Sequence, residues 1–166
     1  EVLARWKTSG SQSLGEISGE FALAVWDGRQ RALWLVRDAT GSRPMFWTRR
    51  AGRVAFCSEL PPLLRLPWVS RELAVDNLSE YLSFRYVHAP RTLLQDVFAV
   101  PPGHALRIDA SGEHLERWWR PPWSEPGAAL PEEQRAAGHL DRLLSQSVER
   151  RLRGDAPVGL LLSGGL

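Results

Sequence analysis

The sequence predicts an α+β protein whose larger, first part is built from antiparallel β-strands and short helices. Two observations support this part: strand-like segments alternate with turn residues over residues 20–60, and another such pair spans residues 105–119. A third observation concerns the last part, where a long amphipathic segment precedes an apolar run and a Gly-rich turn. An α/β nucleotide-binding domain begins in that order, so we expect its first helix and first strand here.

Two β-hairpins are predicted within residues 20–60. Each consists of two apolar segments around a turn that contains glycine, Gly28 in the first and Gly52 in the second. The four predicted strands are residues 21–26, 31–36, 45–48 and 54–57.

Short helices and a third hairpin complete the first part. Residues 58–66 can form only a short helix, because consecutive prolines are tolerated only in a first turn. Asp76 is the expected N-cap of a helix over residues 77–84. Segments 105–108 and 113–119 flank a turn-forming stretch and predict the hairpin.

The composition changes after residue 120. Residues 121–131 are rich in proline and predict a linker. A helix is expected over residues 132–152, because apolar side chains recur there at helical spacing. Residues 158–162 predict a buried strand. The apolar positions of the helix are Leu140, Leu143, Leu144, Val148 and Leu152.

The composition argues against several classes of function. The chain has 166 residues, of which 43% are hydrophobic and 24% charged, as is typical of a globular protein. Its net charge of only +2 argues against a nucleic-acid partner, and no apolar run reaches the roughly 18–20 residues of a membrane span. A single cysteine, Cys57, and four scattered histidines predict no disulfide and no metal site. A reducing, cytoplasmic location is therefore the default.

The sharpest chemical motif is Leu161-Leu162-Ser163-Gly164-Gly165. Two glycines let backbone N–H groups approach an anion closely, and the Ser163 hydroxyl adds a donor. These residues predict a phosphate-binding loop after a strand. A plain glycine-containing turn is the alternative that this short motif leaves open.

Several segments resemble, in the same order, the asparagine synthetase family. Residues 154–166 are similar to its pyrophosphate-loop region, and residues 19–27 are similar to its central strand. Residues 37–46 fit its RDxxGxxP loop. Three shorter matches follow at Ser58-Glu59-Leu60, at residues 80–84 and at residues 101–104.

The resemblance implies an enzyme with two parts. Residues 1–120 would be the C-terminal part of a class II glutaminase, an α/β/β/α sandwich of two antiparallel sheets. Residues 121–131 would be the linker, and residues 132–166 the start of a synthetase domain that binds ATP and Mg²⁺. Glutamine would supply ammonia, and a carboxylate such as aspartate would be activated as an acyl-adenylate. The cofactor-binding residues implied are Leu161 through its backbone, Ser163, Gly164 and Gly165.

The family's glutaminase residues fall outside the match. Its nucleophile is an N-terminal cysteine, whereas this chain has Glu1, so we expect a chain truncated at both ends with no catalytic residue of its own. Cys57 is expected to be structural. Other possibilities stay open: relatives that make β-lactams or macrocyclic peptides without hydrolysing glutamine, and a non-catalytic interaction module. A homo-oligomer is also left open.

The RDxxGxxP loop admits a catalytic and a structural interpretation. We favour the structural one, in which Arg37 and Asp38 form a salt bridge and a turn fixes two strands. Gly41 is expected to need a positive φ, and Pro44 to set the entry to the next strand.

Overall fold

The computed structural model describes residues 2–122, 133–152, 154, 157–162 and 164. The chain divides into two compact units, Glu1–Pro121 and Pro122–Leu166. The described helices are α1 Val2–Ser9, α2 Leu60–Leu64, α3 Leu78–Phe84 and α4 Glu133–Arg151. The strands are β1 Ala22–Asp27, β2 Ala32–Arg37, β3 Phe46–Arg50, β4 Arg53–Cys57, β5 Phe98–Ala99, β6 His104–Asp109 and β7 Gly112–Arg117. Two 3₁₀ segments lie at Gly10–Glu16 and Val75–Asn77.

The first unit contains two antiparallel sheets. One has four strands in the order β1-β2-β6-β7, and the other has three in the order β4-β3-β5. All three predicted hairpins are confirmed, as β1–β2, β3–β4 and β6–β7. The first turn forms because the Asp27 carboxylate accepts hydrogen bonds from the backbone N–H groups of Arg29, at 2.9 Å, and Gln30, at 3.1 Å.

Three apolar clusters hold this unit together. The first joins Trp6 of α1 and Leu14 to β1, β2 and β6. The second lies between strands of the two sheets and contains Leu35, Met45 and Leu106. The third packs Leu63 of α2 with side chains from β3 and β4. The alternation of apolar residues along β2 and β6 places them in the first two clusters, since successive side chains of a strand point to opposite faces.

The N-cap prediction at Asp76 is wrong. Residues 75–77 form a 3₁₀ turn, so α3 begins one residue after Asn77. The Asn77 side chain makes no capping bond; its amide donates instead to the carbonyl oxygen of Thr92, at 2.8 Å. Asp76 lies inside the 3₁₀ turn instead of at the cap position, and Asn77, which takes that position, uses its side chain for a tertiary contact.

The second unit contains the predicted long helix. This helix, α4, spans Glu133–Arg151, close to the expected residues 132–152. The apolar side chains named above, from Leu140 to Leu152, are exposed to solvent. Residues 158–162 are not a strand within the described part, and the side chains of Val158, Leu160, Leu161 and Leu162 are exposed, so the expectation of a buried strand is wrong here. A strand that is apolar on both faces needs paired neighbours, and the described residues of this unit supply no other strand.

The α+β class with two antiparallel sheets is confirmed. The order of helical and sheet layers in an α/β/β/α sandwich stays a prediction. No helix among the described residues is both long enough and apolar enough to cross a membrane.

Candidate functional site

The carboxylate of Asp38 organises the loop between β2 and β3. Its Oδ1 accepts hydrogen bonds from the N–H of Ser42, at 3.0 Å, and from the N–H and hydroxyl of Thr40, at 3.1 and 3.2 Å. Its Oδ2 accepts from the N–H of Arg43, at 2.9 Å, and of Phe21, at 3.4 Å. Asp38 is 0% exposed. One buried side chain therefore fixes the loop and the entry to β1.

Arg37 binds three backbone carbonyl groups, two in the loop that follows β2 and one at Val100. Its guanidinium donates to Arg43 at 2.9 Å, to Val100 at 2.9 Å and to Gly41 at 2.7 Å. The expected salt bridge between Arg37 and Asp38 is absent, because each side chain is engaged with backbone groups instead. The indole N–H of Trp118 donates to the carbonyl oxygen of Arg37 itself, at the end of β2, at 3.3 Å.

Gly41 is required at its position for two reasons. Its φ is +72°, as expected, and a Cβ there would lie 2.7 Å from Cγ of Pro102 and 3.1 Å from Nη2 of Arg37. Both the backbone conformation and the close approach of the turn at residues 101–103 favour glycine.

The pKa shifts of Asp38 and Arg37 have causes that fit a structural role for this loop. Burial raises the pKa of Asp38, but hydrogen bonds, first from the N–H of Arg43 and then from Ser42, Thr40 and Phe21, hold it below its usual value. Burial lowers the pKa of Arg37, and the charge of Asp38 opposes that shift. With its oxygens occupied and no exposure to solvent, Asp38 has no capacity to act on a substrate. The structural interpretation of this loop is therefore the one we retain.

The proposed ATP-binding residues lie in the second unit. Ser163 and Gly165 fall outside the described residues. Gly164 has a φ of +69°, and no atom of the described residues lies within 4 Å of the position that a Cβ would take. Leu161 is 100% exposed. A positive φ is a conformation that glycine adopts readily and other residues rarely do.

Cys57 lies in β4, opposite Phe46 of β3, as a free thiol packed against the third apolar cluster. This placement fits the structural role expected for it. No group of three or more His, Cys, Asp or Glu side chains that could hold a metal ion occurs among the described residues.

The sequence reasoning missed one cluster of polar side chains. Glu80 of α3 binds His88 and Arg91, and His88 also binds Tyr86. These pairs are two, eight and eleven residues apart across a helix end and a loop, and such spacings give no periodic signal. Only the fold of that loop brings them together.

Comparison with known proteins shows the family to which this chain belongs. Residues 1–119 match the family described as glutamine amidotransferase domain, which covers the whole two-sheet region. The chain belongs to this family. In addition, residues 139–166 match the family described as asparagine synthase, which includes most of α4 and the glycine-rich loop.

Curated relatives of this amidotransferase domain agree with the expected resemblance to the asparagine synthetase family. A protein of Mycobacterium tuberculosis named putative asparagine synthetase (glutamine-hydrolyzing) is 31% identical over 99% of this chain and 26% of its own length. Asparagine synthetase (glutamine-hydrolyzing) 3 of Bacillus subtilis is 28% identical over 90% of this chain and 24% of its own. Amidase chyE of Penicillium rubens is 31% identical over 99% and 24%. The chain thus spans about a quarter of the length of these relatives.

Proposed function

We propose that this chain is part of an ATP-dependent, glutamine-dependent amidotransferase that converts a carboxylate to an amide. One observation carries the proposal: a glutamine amidotransferase domain and the start of an asparagine synthase region occur in this order on one chain. The first would release ammonia from glutamine, and the second would activate the carboxylate as an acyl-adenylate. Ammonia would then displace AMP to form the amide.

The glycine-rich loop is the part of this chain that we assign to ATP. Ser163, Gly164 and Gly165 would hold the pyrophosphate through backbone N–H groups and the serine hydroxyl, and the Leu161 backbone would face the adenine. The positive φ of Gly164 supports this assignment, because glycine lets backbone N–H groups approach phosphate oxygens closely. Mg²⁺ would accompany ATP and neutralise phosphate charge. The domain boundaries that go with this proposal are residues 1–120, 121–131 and 132–166.

The acceptor is proposed to be a small carboxylate, with aspartate as the first compound to test. Two of the relatives quoted above carry the name asparagine synthetase, which supports aspartate. The third carries the name amidase, so other carboxylates belong in the same screen.

The test uses the full-length protein that contains this sequence. We expect carboxylate-dependent exchange of labelled pyrophosphate into ATP, dependent on Mg²⁺, together with ammonia release from glutamine. Exchange without glutamine hydrolysis would favour a relative that forms β-lactams or macrocyclic peptides. The absence of both activities with every carboxylate tested would contradict the proposal and favour a non-catalytic interaction module.

A further inference from the structure

A chain of hydrogen bonds links three side chains around the C-terminal end of α3. The hydroxyl of Tyr86 lies 3.0 Å from Nε2 of His88. The other ring nitrogen, Nδ1, is hydrogen-bonded to Oε1 of Glu80. A hydroxyl, an imidazole and a carboxylate are thus connected in series, within nine residues of sequence and outside the loops discussed above.

Glu80 is held in place as a carboxylate. Its Oε1 also accepts the backbone N–H of His88, at 3.0 Å, and its Oε2 forms an ion pair with Nη2 of Arg91, at 2.6 Å. The Glu80 side chain is 13% exposed. Hydrogen bonds from His88, first from its backbone and then from its ring, together with the charge of Arg91, hold the pKa of Glu80 below its usual value. The carboxylate is therefore ionised at neutral pH and can only accept hydrogen bonds.

An ionised Glu80 determines the tautomer of His88. Because a carboxylate accepts, Nδ1 of the imidazole carries the proton, and Nε2 of the neutral ring is left as an acceptor. The Tyr86 hydroxyl then donates to Nε2. This is the arrangement in which an imidazole, oriented by a carboxylate, removes a proton from an attacking hydroxyl.

The tyrosine of this series is also exposed. Tyr86 is 54% exposed. Its ring packs against the His88 ring, with 4.6 Å between centroids, and both lie beside Phe84. These ring contacts favour a fixed orientation of Tyr86 and His88, and the exposure of Tyr86 leaves part of its side chain open to a small molecule.

We propose that Tyr86 is an acyl-acceptor site, with His88 as its general base and Glu80 as a positioning residue, and that it reacts with activated esters of small carboxylic acids. The Tyr86 oxygen bonds to the ester carbonyl carbon, and its proton passes to Nε2 of His88. The bond between that carbon and the leaving aryloxide breaks, and the aryloxide takes the proton and departs as the phenol. The products are an O-acyl tyrosine and a free phenol, with no change of oxidation state. This site is independent of the proposed amidotransferase activity.

The chain contains its own control. It has two tyrosines, and the other, Tyr81 of α3, is 40% exposed with no hydrogen bond to its hydroxyl among the described residues. We would treat the 166-residue chain with 4-nitrophenyl acetate at neutral pH and quantify acetyl groups on each tyrosine by peptide mass spectrometry. Because a general base contributes about 10²–10⁴-fold, we expect Tyr86 to be labelled at least about tenfold faster than Tyr81.

Two variants separate base catalysis from exposure. In His88→Gln, whose amide nitrogen cannot remove a proton, the labelling rate of Tyr86 should fall to that of Tyr81. In Glu80→Gln the labelling rate of Tyr86 should fall to a value between that of the unaltered chain and that of His88→Gln. The Tyr81 rate, unchanged in both, reports that α3 is still folded. A Tyr86-to-Tyr81 ratio below about tenfold in the unaltered chain, an unchanged ratio in His88→Gln, or an acetyl group retained on His88 instead of Tyr86 would each overturn the proposal.

Discussion

Arg37 donates a hydrogen bond from Nη1 to the carbonyl oxygen of Val100, 63 residues further along the chain, at 2.9 Å. This bond ties the end of β2 to the turn that leads into β6. The same guanidinium binds the carbonyl groups of Gly41 and Arg43, so one side chain connects three backbone segments. A planar fork of donors is suited to this task, and a single ammonium group is not.

The first prediction is that Arg37→Lys destabilises the first unit although the charge is kept. Lysine cannot reach three carbonyl groups at once, and each lost bond to a charged donor is worth about 1.5–3 kcal/mol. We expect a loss of about 2 kcal/mol or more in the free energy of unfolding, measured with urea. Arg50→Lys, at an exposed position whose side chain makes no hydrogen bond to any described residue, should change the free energy of unfolding by less than about 0.5 kcal/mol. Equal effects of the two variants would contradict the role given to Arg37.

The second prediction concerns the pH dependence that Asp38 confers. Its pKa in the folded state is below the value of about 3.9 expected for an unfolded chain, so the unfolded state binds the proton more readily. The stabilising contribution is therefore fully present above about pH 4 and is lost as the pH falls through the lower, folded-state pKa.

Asp38→Asn tests this linkage. The amide presents an NH₂ group where backbone N–H donors need an acceptor, so we expect a loss of about 2–4 kcal/mol at pH 7. The difference in unfolding free energy between the two proteins should shrink when urea unfolding is repeated near pH 3. If the difference in unfolding free energy stays constant from pH 7 to pH 3, the charge of Asp38 is not the source of its stabilising contribution.

The third prediction separates backbone strain from steric contact at glycine. Gly41 and Gly52 have nearly the same φ, +72° and +75°, but only Gly41 lies against other atoms. Gly52→Ala should cost about 1–2 kcal/mol through strain alone. Gly41→Ala should cost about 1–3 kcal/mol more, because the new methyl group overlaps Pro102. Thermal or urea unfolding of both variants measures the difference in stability. Equal losses would show that the turn at residues 101–103 shifts without cost to accommodate the methyl group.

The fourth prediction is that Cys57 takes no part in glutamine hydrolysis. Its thiol is packed against the third apolar cluster, and none of its neighbours there is histidine. In the full-length protein, Cys57→Ala should leave the rate of ammonia release from glutamine within about twofold of the unaltered rate, because no interaction with the transition state is removed. A loss of activity by more than about a hundredfold in a variant with an unchanged circular dichroism spectrum would identify Cys57 as the nucleophile.

The fifth prediction concerns Gly164. In the full-length protein, Gly164→Val should abolish exchange of pyrophosphate into ATP, because the branched side chain obstructs the approach of phosphate and is strained by about 1–2 kcal/mol at positive φ. Ammonia release from glutamine should persist. Gly159→Ala, at a position without positive φ or close contacts, is the matched control and should retain exchange. Normal exchange in Gly164→Val would show that this residue is only a structural bend.

The sequence by itself determined the three hairpins and the family. These depend on local signals: alternation along β1 and β2, an Asp-Gly turn after β1, and the order of motifs such as RDxxGxxP. The positive φ of Gly41 was also predictable, because a turn of that kind favours glycine.

Only the tertiary structure decided what the charged residues do. Arg37 and Asp38 are neighbours in sequence and were expected to pair, yet burial makes backbone groups their partners, since a buried donor or acceptor must be satisfied by whatever lies next to it. The cap expected at Asp76 gave way to the bond between Asn77 and Thr92, and the relay of Glu80, His88 and Tyr86 arose from a loop with no periodicity. Contacts between residues distant in sequence follow from the path of the chain in space, which the local propensities of those residues do not encode.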